Sequence, residues 1–171
     1  MPTRRKNHLI YGGIVLIAEL DKKLKITEQF VKYFRDYRHP YYVDYSINQL
    51  LAQIIYSIIL GYEDINDHEH LRYDSAIAIA VQKLNCNQKK EPILAGKITL
   101  NRLEYSPNTM TNKKESRYHK IEALVSDIEK TFVDIFIQSH TTPPKNIILD
   151  LDVTDEPVHG NQEGAFFKYL L

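Results

Sequence analysis

The chain has 171 residues, 43% of them hydrophobic and 26% charged, which is enough for one domain with a real core and has the proportions of a soluble globular protein. Lys plus Arg and Asp plus Glu stand at 22 each, so net charge gives no argument for nucleic-acid binding and leaves that case to local clusters. The single cysteine, Cys86, excludes an intrachain disulfide, and the apolar run at residues 14–18 reaches Glu19 and Asp21 too soon for a signal peptide or a membrane span; the expectation is a cytoplasmic protein with no membrane partner.

In chain order, residues 14–25 suit a short helix entered after Gly12 and Gly13. Thr27 is placed to cap a second helix that carries Phe30, Val31 and Phe34 and stops near Pro40. The clearest helix follows. Ser46 and Gln49 fit a capping box. Ile47, Leu50, Leu51, Ile54, Ile55, Ile58 and Ile59 then form one apolar stripe of 3.6-residue period, and Gly61 ends the helix. Such a stripe reads as core. Shorter helices are expected at residues 64–71 and 75–84, then a polar loop to Pro92.

A brief helix is expected at residues 99–105. After a polar spacer, a long one is expected over residues 113–139, with Ile121, Leu124, Ile128, Phe132, Ile135 and Phe136 on one face. The texture changes at Pro143 and Pro144. The run Asn-Ile-Ile-Leu-Asp-Leu-Asp at residues 146–152 reads as a buried strand, and residues 165–171 read as a second one. The sequence thus divides into a mainly helical region, residues 1–144, and the start of a sheet, residues 145–171.

Four groups of residues carry chemistry. Asp150 and Asp152 alternate along the first strand and share a face; carboxylates at a strand end suit Mg²⁺, although an acidic turn capped by Thr154 and Asp155 is the plainer reading. The segment from His159 to Gly164, with Glu163, reads as a polar loop between strands. Asp67-His68-Glu69-His70 resembles a metal cluster, but its histidines stand two apart and fall on different helix faces, which opposes a zinc site. Basic clusters occur at Arg4, Arg5 and Lys6, at Lys22, Lys23 and Lys25, at Lys89 and Lys90, and at Lys113, Lys114 and Arg117. Lys97-Ile98-Thr99-Leu100-Asn101-Arg102-Leu103 is the best candidate for a helix-turn-helix reader, with Lys97, Thr99, Asn101 and Arg102 as its DNA-contacting residues.

Several of these segments resemble one family in order. Gly12-Gly13 before a helix with Glu19, Leu20 and Asp21 is similar to its start. Leu60-Gly61-Tyr62-Glu63-Asp64-Ile65-Asn66-Asp67-His68, with Leu71, Arg72 and Asp74, is close to its helical motif. Residues 99–104 resemble "T-L-S-R-L-E", with Asn101 in the serine position. Residues 149–156 and 159–167 match the block "D-L-D-A-T-D-D-P-T-H-G-Q-Q-E-G-A-F-F", with Val153, Glu156 and Asn161 as departures. The family is the DDE transposases of bacterial insertion sequences, DDE domain group 1.

The resemblance implies an α+β fold: a mainly helical N-terminal region followed by the first β-hairpin of a truncated ribonuclease-H-like α/β domain. It implies phosphoryl transfer on DNA, with three carboxylates holding two Mg²⁺ ions about 3.5–4 Å apart in the complete enzyme. Asp152 is implied as the first catalytic and metal-ligating carboxylate, with Asp150 in reserve and His159 and Glu163 near the site. The second Asp and the Glu of the family lie beyond residue 171, so the expectation is a truncated transposase without catalysis of its own. The implied partners are transposon-end DNA and either a second copy of the chain or a complementing transposase fragment. The rival expectations are a non-catalytic DNA-binding fragment or repressor of transposition, and an inert gene remnant.

Overall fold

Gly13–Leu24 forms the first helix, α1, and Ile26–Val31 the second, α2, in a computed structural model that describes residues 13–83, 93–104 and 120–148. The break between the two helices is made by Lys25, whose φ of 57° is left-handed. Thr27 does not cap α2. It lies inside the helix, and its N–H donates to the Asp21 carboxylate at 2.9 Å. The anion that satisfies this helix start therefore comes from the preceding helix rather than from the cap position.

The helix expected to run to Pro40 ends at Val31. Phe34–Asp36 is instead a strand, β1, paired antiparallel with β2, Ile121–Ala123, in the register Phe34 to Ala123, Arg35 to Glu122 and Asp36 to Ile121. This pairing also corrects the long helix expected over residues 113–139. Its described part starts only at Val125 and runs to Gln138 as α7. Apolar spacing over one turn fits a short strand as well as a helix, and the choice was made by a partner strand some 85 residues away.

Ser46 and Gln49 form the expected capping box, with Gln49 N–H on Ser46 Oγ at 3.2 Å and Ser46 N–H on Gln49 Oε1 at 3.1 Å. They open α3, Ile47–Ile59. Gly61 closes it at φ 86°, and the Tyr62 N–H donates to Ser57 O and the Gly61 N–H to Ile58 O, both at 2.9 Å. That pair of bonds is the Schellman arrangement, which needs a left-handed residue at Gly61. The Pro40–Tyr42 segment before α3 and the Ile65–Asp67 segment after it are single 3-10 turns. Then come α4, His68–Leu71, and α5, Ser75–Ala80, whose start is capped by Asp74. An eight-residue helix, α6, spans Lys97–Glu104.

Two apolar clusters flank α3. One gathers Ile14 and Ala18 of α1, Ala52 and Tyr56 of α3, Leu71, and residues of α5. The other gathers Phe30 of α2, Ile47, Leu50 and Leu51 of α3, Leu100 and Leu103 of α6, and Ile121. Because both sides of α3 are covered, Gln53 and Ser57 between them are buried. The expected stripe is correct for Ile47, Leu50 and Leu51 but not at its end, where Ile58 and Ile59 are about half exposed. Along α7 the buried residue is Thr131, flanked by half-buried Ile128 and Ile135; Phe132 and Phe136 of the expected face are exposed, Phe132 packing its ring against Phe30.

Mostly helical with a small two-stranded antiparallel sheet, the protein is α+β. The chain divides into two units, residues 1–139 and 140–171. In the second, the described residues 140–148 form no helix or strand, so the first part of the strand expected at 146–152 is absent and Ile147 and Ile148 are exposed. Asp150, Asp152, His159 and Glu163 lie outside the described residues, as does the second expected strand.

Candidate nucleic-acid interface

The segment leading into α6 is held before the helix begins. The carbonyl of Arg72 accepts from the N–H groups of Ile93 at 3.2 Å and Leu94 at 3.1 Å. Ala95 is gripped by the amide of Gln53: its N–H donates to Gln53 Oε1 at 3.0 Å, and its C=O accepts from Gln53 Nε2 at 2.8 Å. This pairing fixes which end of the Gln53 amide is which. The second Nε2 hydrogen is then directed at His68 Nδ1, 3.1 Å away, so that nitrogen must accept and the imidazole must be neutral. Burial pushes the His68 pKa below its ordinary value, against the raising effect of Asp67.

Gly96 follows against the ends of the Glu69 and Arg72 side chains, which would have to shift to admit a Cβ. A Cβ there would stand 2.9 Å from Glu69 Oε1 and 3.0 Å from Arg72 Nη1. Glu69 accepts the Lys97 N–H at 3.0 Å, and its other oxygen accepts from Arg72 Nη1 at 3.2 Å. The Lys97 N–H chiefly, and Arg72 after it, hold the Glu69 carboxyl below the usual range despite some desolvation. A carboxylate thus caps α6 from another helix. Leu100 and Leu103 are buried in the second cluster and fasten the inner side.

The outer side carries the residues that the sequence singled out. Lys97, Asn101 and Arg102 are exposed together, and Ile98 beside them is 68% exposed. Thr99 is half-buried on the other side of the helix and does not join them. Lys97 Nζ reaches Asn66 Oδ1 at 3.2 Å, a neutral partner that leaves its charge uncompensated by that bond. Among the described residues, the helix nearest before α6 in sequence is α5, which ends at Ala80. A first helix joined to α6 by a three- or four-residue turn would end near residue 92, and residues 84–92 lie outside the described residues. α6 packs on α3, the Ile65–Asp67 turn and β2, and Glu69 of α4 caps its start.

A family model described as transposase DDE domain group 1 matches residues 10–170. The chain belongs to that family. Neither a comparison with curated proteins nor one with solved structures returns a match. In this DDE-family chain the motif at residues 60–74 is a structural device around α6: Gly61 closes α3, Asp64 caps the 3-10 turn through the Asn66 N–H, His68 meets Gln53, Glu69 caps α6 and Asp74 caps α5. Sequence reasoning missed Gln53, Glu69 and Gly96, since none falls on an apolar stripe or in a basic cluster. In the sequence Glu69 stands out only beside His68 and His70 as part of a metal-like run, and in the fold His68 is buried against Gln53. Among the described residues no group of three or more His, Cys, Asp or Glu is arranged to hold a metal ion, and no described helix is long and apolar enough to cross a membrane. Of the other basic clusters, Lys22 pairs with Glu19 and Lys25 with Glu28 at the surface; those at residues 4–6, 89–90 and 113–117 lie outside the described residues.

Proposed function

We propose that the chain is the DNA-contacting part of an insertion-sequence transposase, and that it meets duplex DNA through the outer face of α6. The observation that carries this reading is an exposed set of Lys97, Asn101 and Arg102 on a short helix whose backbone and inner side are both pinned. A helix held in this way has little backbone entropy left to lose on binding. Its cations can neutralise phosphates, and its amide can reach a base edge.

The 171-residue chain should shift duplex DNA in a gel titration at low salt, and its binding constant should fall as salt rises through counterion release. Arg102→Ala should weaken binding several-fold and lower the salt slope by about one. No binding at low salt would overturn the proposal. An unchanged affinity in the variant would move the interface away from α6.

For the reaction itself, Asp152 is proposed as the first carboxylate, with Asp150 in reserve, and residues 145–171 as the beginning of a ribonuclease-H-like catalytic domain. Carboxylate donors suit Mg²⁺, which supplies charge stabilisation at the attacking and leaving oxygens when two ions are bound. The residues of this chain contribute one or two of the three carboxylates that such a site needs. Mg²⁺ keeps much of its water shell and binds weakly to so few ligands. The purified chain should therefore neither cut nor join DNA that it binds, in Mg²⁺ or Mn²⁺. Metal-dependent cleavage that disappears in Asp152→Ala would show that another subunit or another residue of this chain completes the site.

A further inference from the structure

The outer face of α6 has an internal order that neutralising phosphates does not require. With successive residues about 100° apart around a helix, the exposed side chains follow one another as Lys97, Asn101, Ile98 and Arg102, and the buried Leu100 and Leu103 lie opposite. Two cations thus form the edges of the exposed arc, and a neutral pair forms its middle. Single exposed apolar residues are common on protein surfaces and need no explanation alone. Here the position of Ile98 gives it meaning: it stands beside an amide, between two cations, on a helix whose inner leucines are buried.

The major groove of duplex DNA offers the complementary pattern. Phosphates line both rims, and base edges form the floor. Adenine presents an acceptor and a donor that fit the Asn amide with two bonds, and thymine presents a methyl group that favours an apolar side chain. Guanine in that position would call for Arg or Lys at the middle of the arc, and cytosine for a carboxylate; the middle of this arc carries neither. The start of α6 is closed to a phosphate because Glu69 already accepts the Lys97 N–H, which leaves the phosphate contacts to the two edges. We infer that the middle of α6 reads an A·T-containing step in the major groove, with Asn101 pairing to adenine and Ile98 packing on the 5-methyl of thymine. This inference rests on the proposed contact between α6 and DNA.

The test begins with the full 171-residue chain and a randomised duplex library, from which the tightest binders are selected. Their affinity is then measured with each thymine replaced in turn by deoxyuridine, which lacks only the methyl. One thymine should matter, with a loss of about fourfold, the worth of one buried carbon. Ile98→Ala should bind the thymine and deoxyuridine duplexes equally at that position. Asn101→Ala should relax the preference for one adenine by about tenfold or more. Both side chains are exposed, so the variants should unfold at the same temperature as the parent, and a loss of contact is thereby distinguished from a loss of fold. Salt-dependent binding that Arg102→Ala weakens, but with no difference between thymine and deoxyuridine or with a difference that survives Ile98→Ala, would overturn the base reading and leave the DNA contact of α6 standing. Absence of binding would overturn both.

Discussion

Replacing Gln53 with alanine should lower the stability of the helical unit by about 3–5 kcal/mol. One amide makes three contacts there: it accepts the Ala95 N–H at 3.0 Å, donates to the Ala95 C=O at 2.8 Å and donates to His68 Nδ1 at 3.1 Å. Gln53, Ala95 and His68 are all buried. Truncation therefore leaves polar groups in the interior without partners, each at a cost of about 1–3 kcal/mol, together with a cavity. Against a total stability of about 5–15 kcal/mol for a small protein, this is a large fraction. Urea denaturation of the parent and of Gln53→Ala measures it. DNA binding should fall with stability, because Ala95 anchors the lead into α6. A loss under 1 kcal/mol would mean that water replaces the amide and that the three bonds do not hold the segment.

The same contact sets a dependence on pH. His68 is kept neutral by the Gln53 donor, and burial lowers its pKa from the ordinary 6.5. The unfolded chain therefore takes up the proton first, so the contribution of His68 is complete above about pH 6.5 and is lost as pH falls toward the folded value. Substituting His68→Leu removes this titration. The stability gap between parent and variant should be widest at pH 7.5 and should narrow on acidification. A gap that stays constant from pH 7.5 to 5 would exclude His68 as the titrating group.

Asp21→Ala should cost about 2–4 kcal/mol, because one carboxylate joins three helices. Its Oδ1 accepts the Thr27 N–H at 2.9 Å, near the start of α2, and its Oδ2 accepts the Tyr56 hydroxyl at 2.9 Å, on α3. Asp21 itself stands on α1. Charged hydrogen bonds of this kind are stronger than neutral ones, and the anion also suits the positive start of α2. Tyr56→Phe should cost less, since it leaves the Thr27 bond in place. Burial, and then the bond to Asp21, push the Tyr56 pKa above its ordinary 10.0. Its contribution is therefore complete below pH 10 and is lost above that, as the unfolded chain ionises. Tyr56→Phe should remove that alkaline loss. Thermal unfolding of the two variants checks the order; equal costs for both would mean that the Thr27 bond contributes nothing.

The elements that were legible in the sequence are those whose causes lie within a few residues. Ser46, Gln49 and Gly61 bound α3 by bonds that span three to five positions, and such bonds are written into local residue types. The family was legible for a related reason: its motifs are contiguous runs, and the match covers residues 10–170. The choice of α6 as the candidate interface also came from a contiguous segment, although the orientation of Thr99 away from the exposed arc did not.

What the tertiary structure alone decided are the features that join distant parts of the chain. Ile121–Ala123 became a strand because Phe34–Asp36 offered it backbone partners, and a pattern of apolar spacing does not encode whether a partner is present. Gln53 turned inward because apolar clusters cover α3 on two sides and because Ala95, 42 residues away, brings a free N–H and C=O to meet it. Glu69 caps a helix that begins 28 residues later. By itself, then, the sequence determined the helices with local caps, the family, and the segment to examine for DNA contact. Packing decided which face of each helix is buried and which carboxylates serve as caps, because burial and buried hydrogen bonding depend on the neighbours that the whole fold supplies.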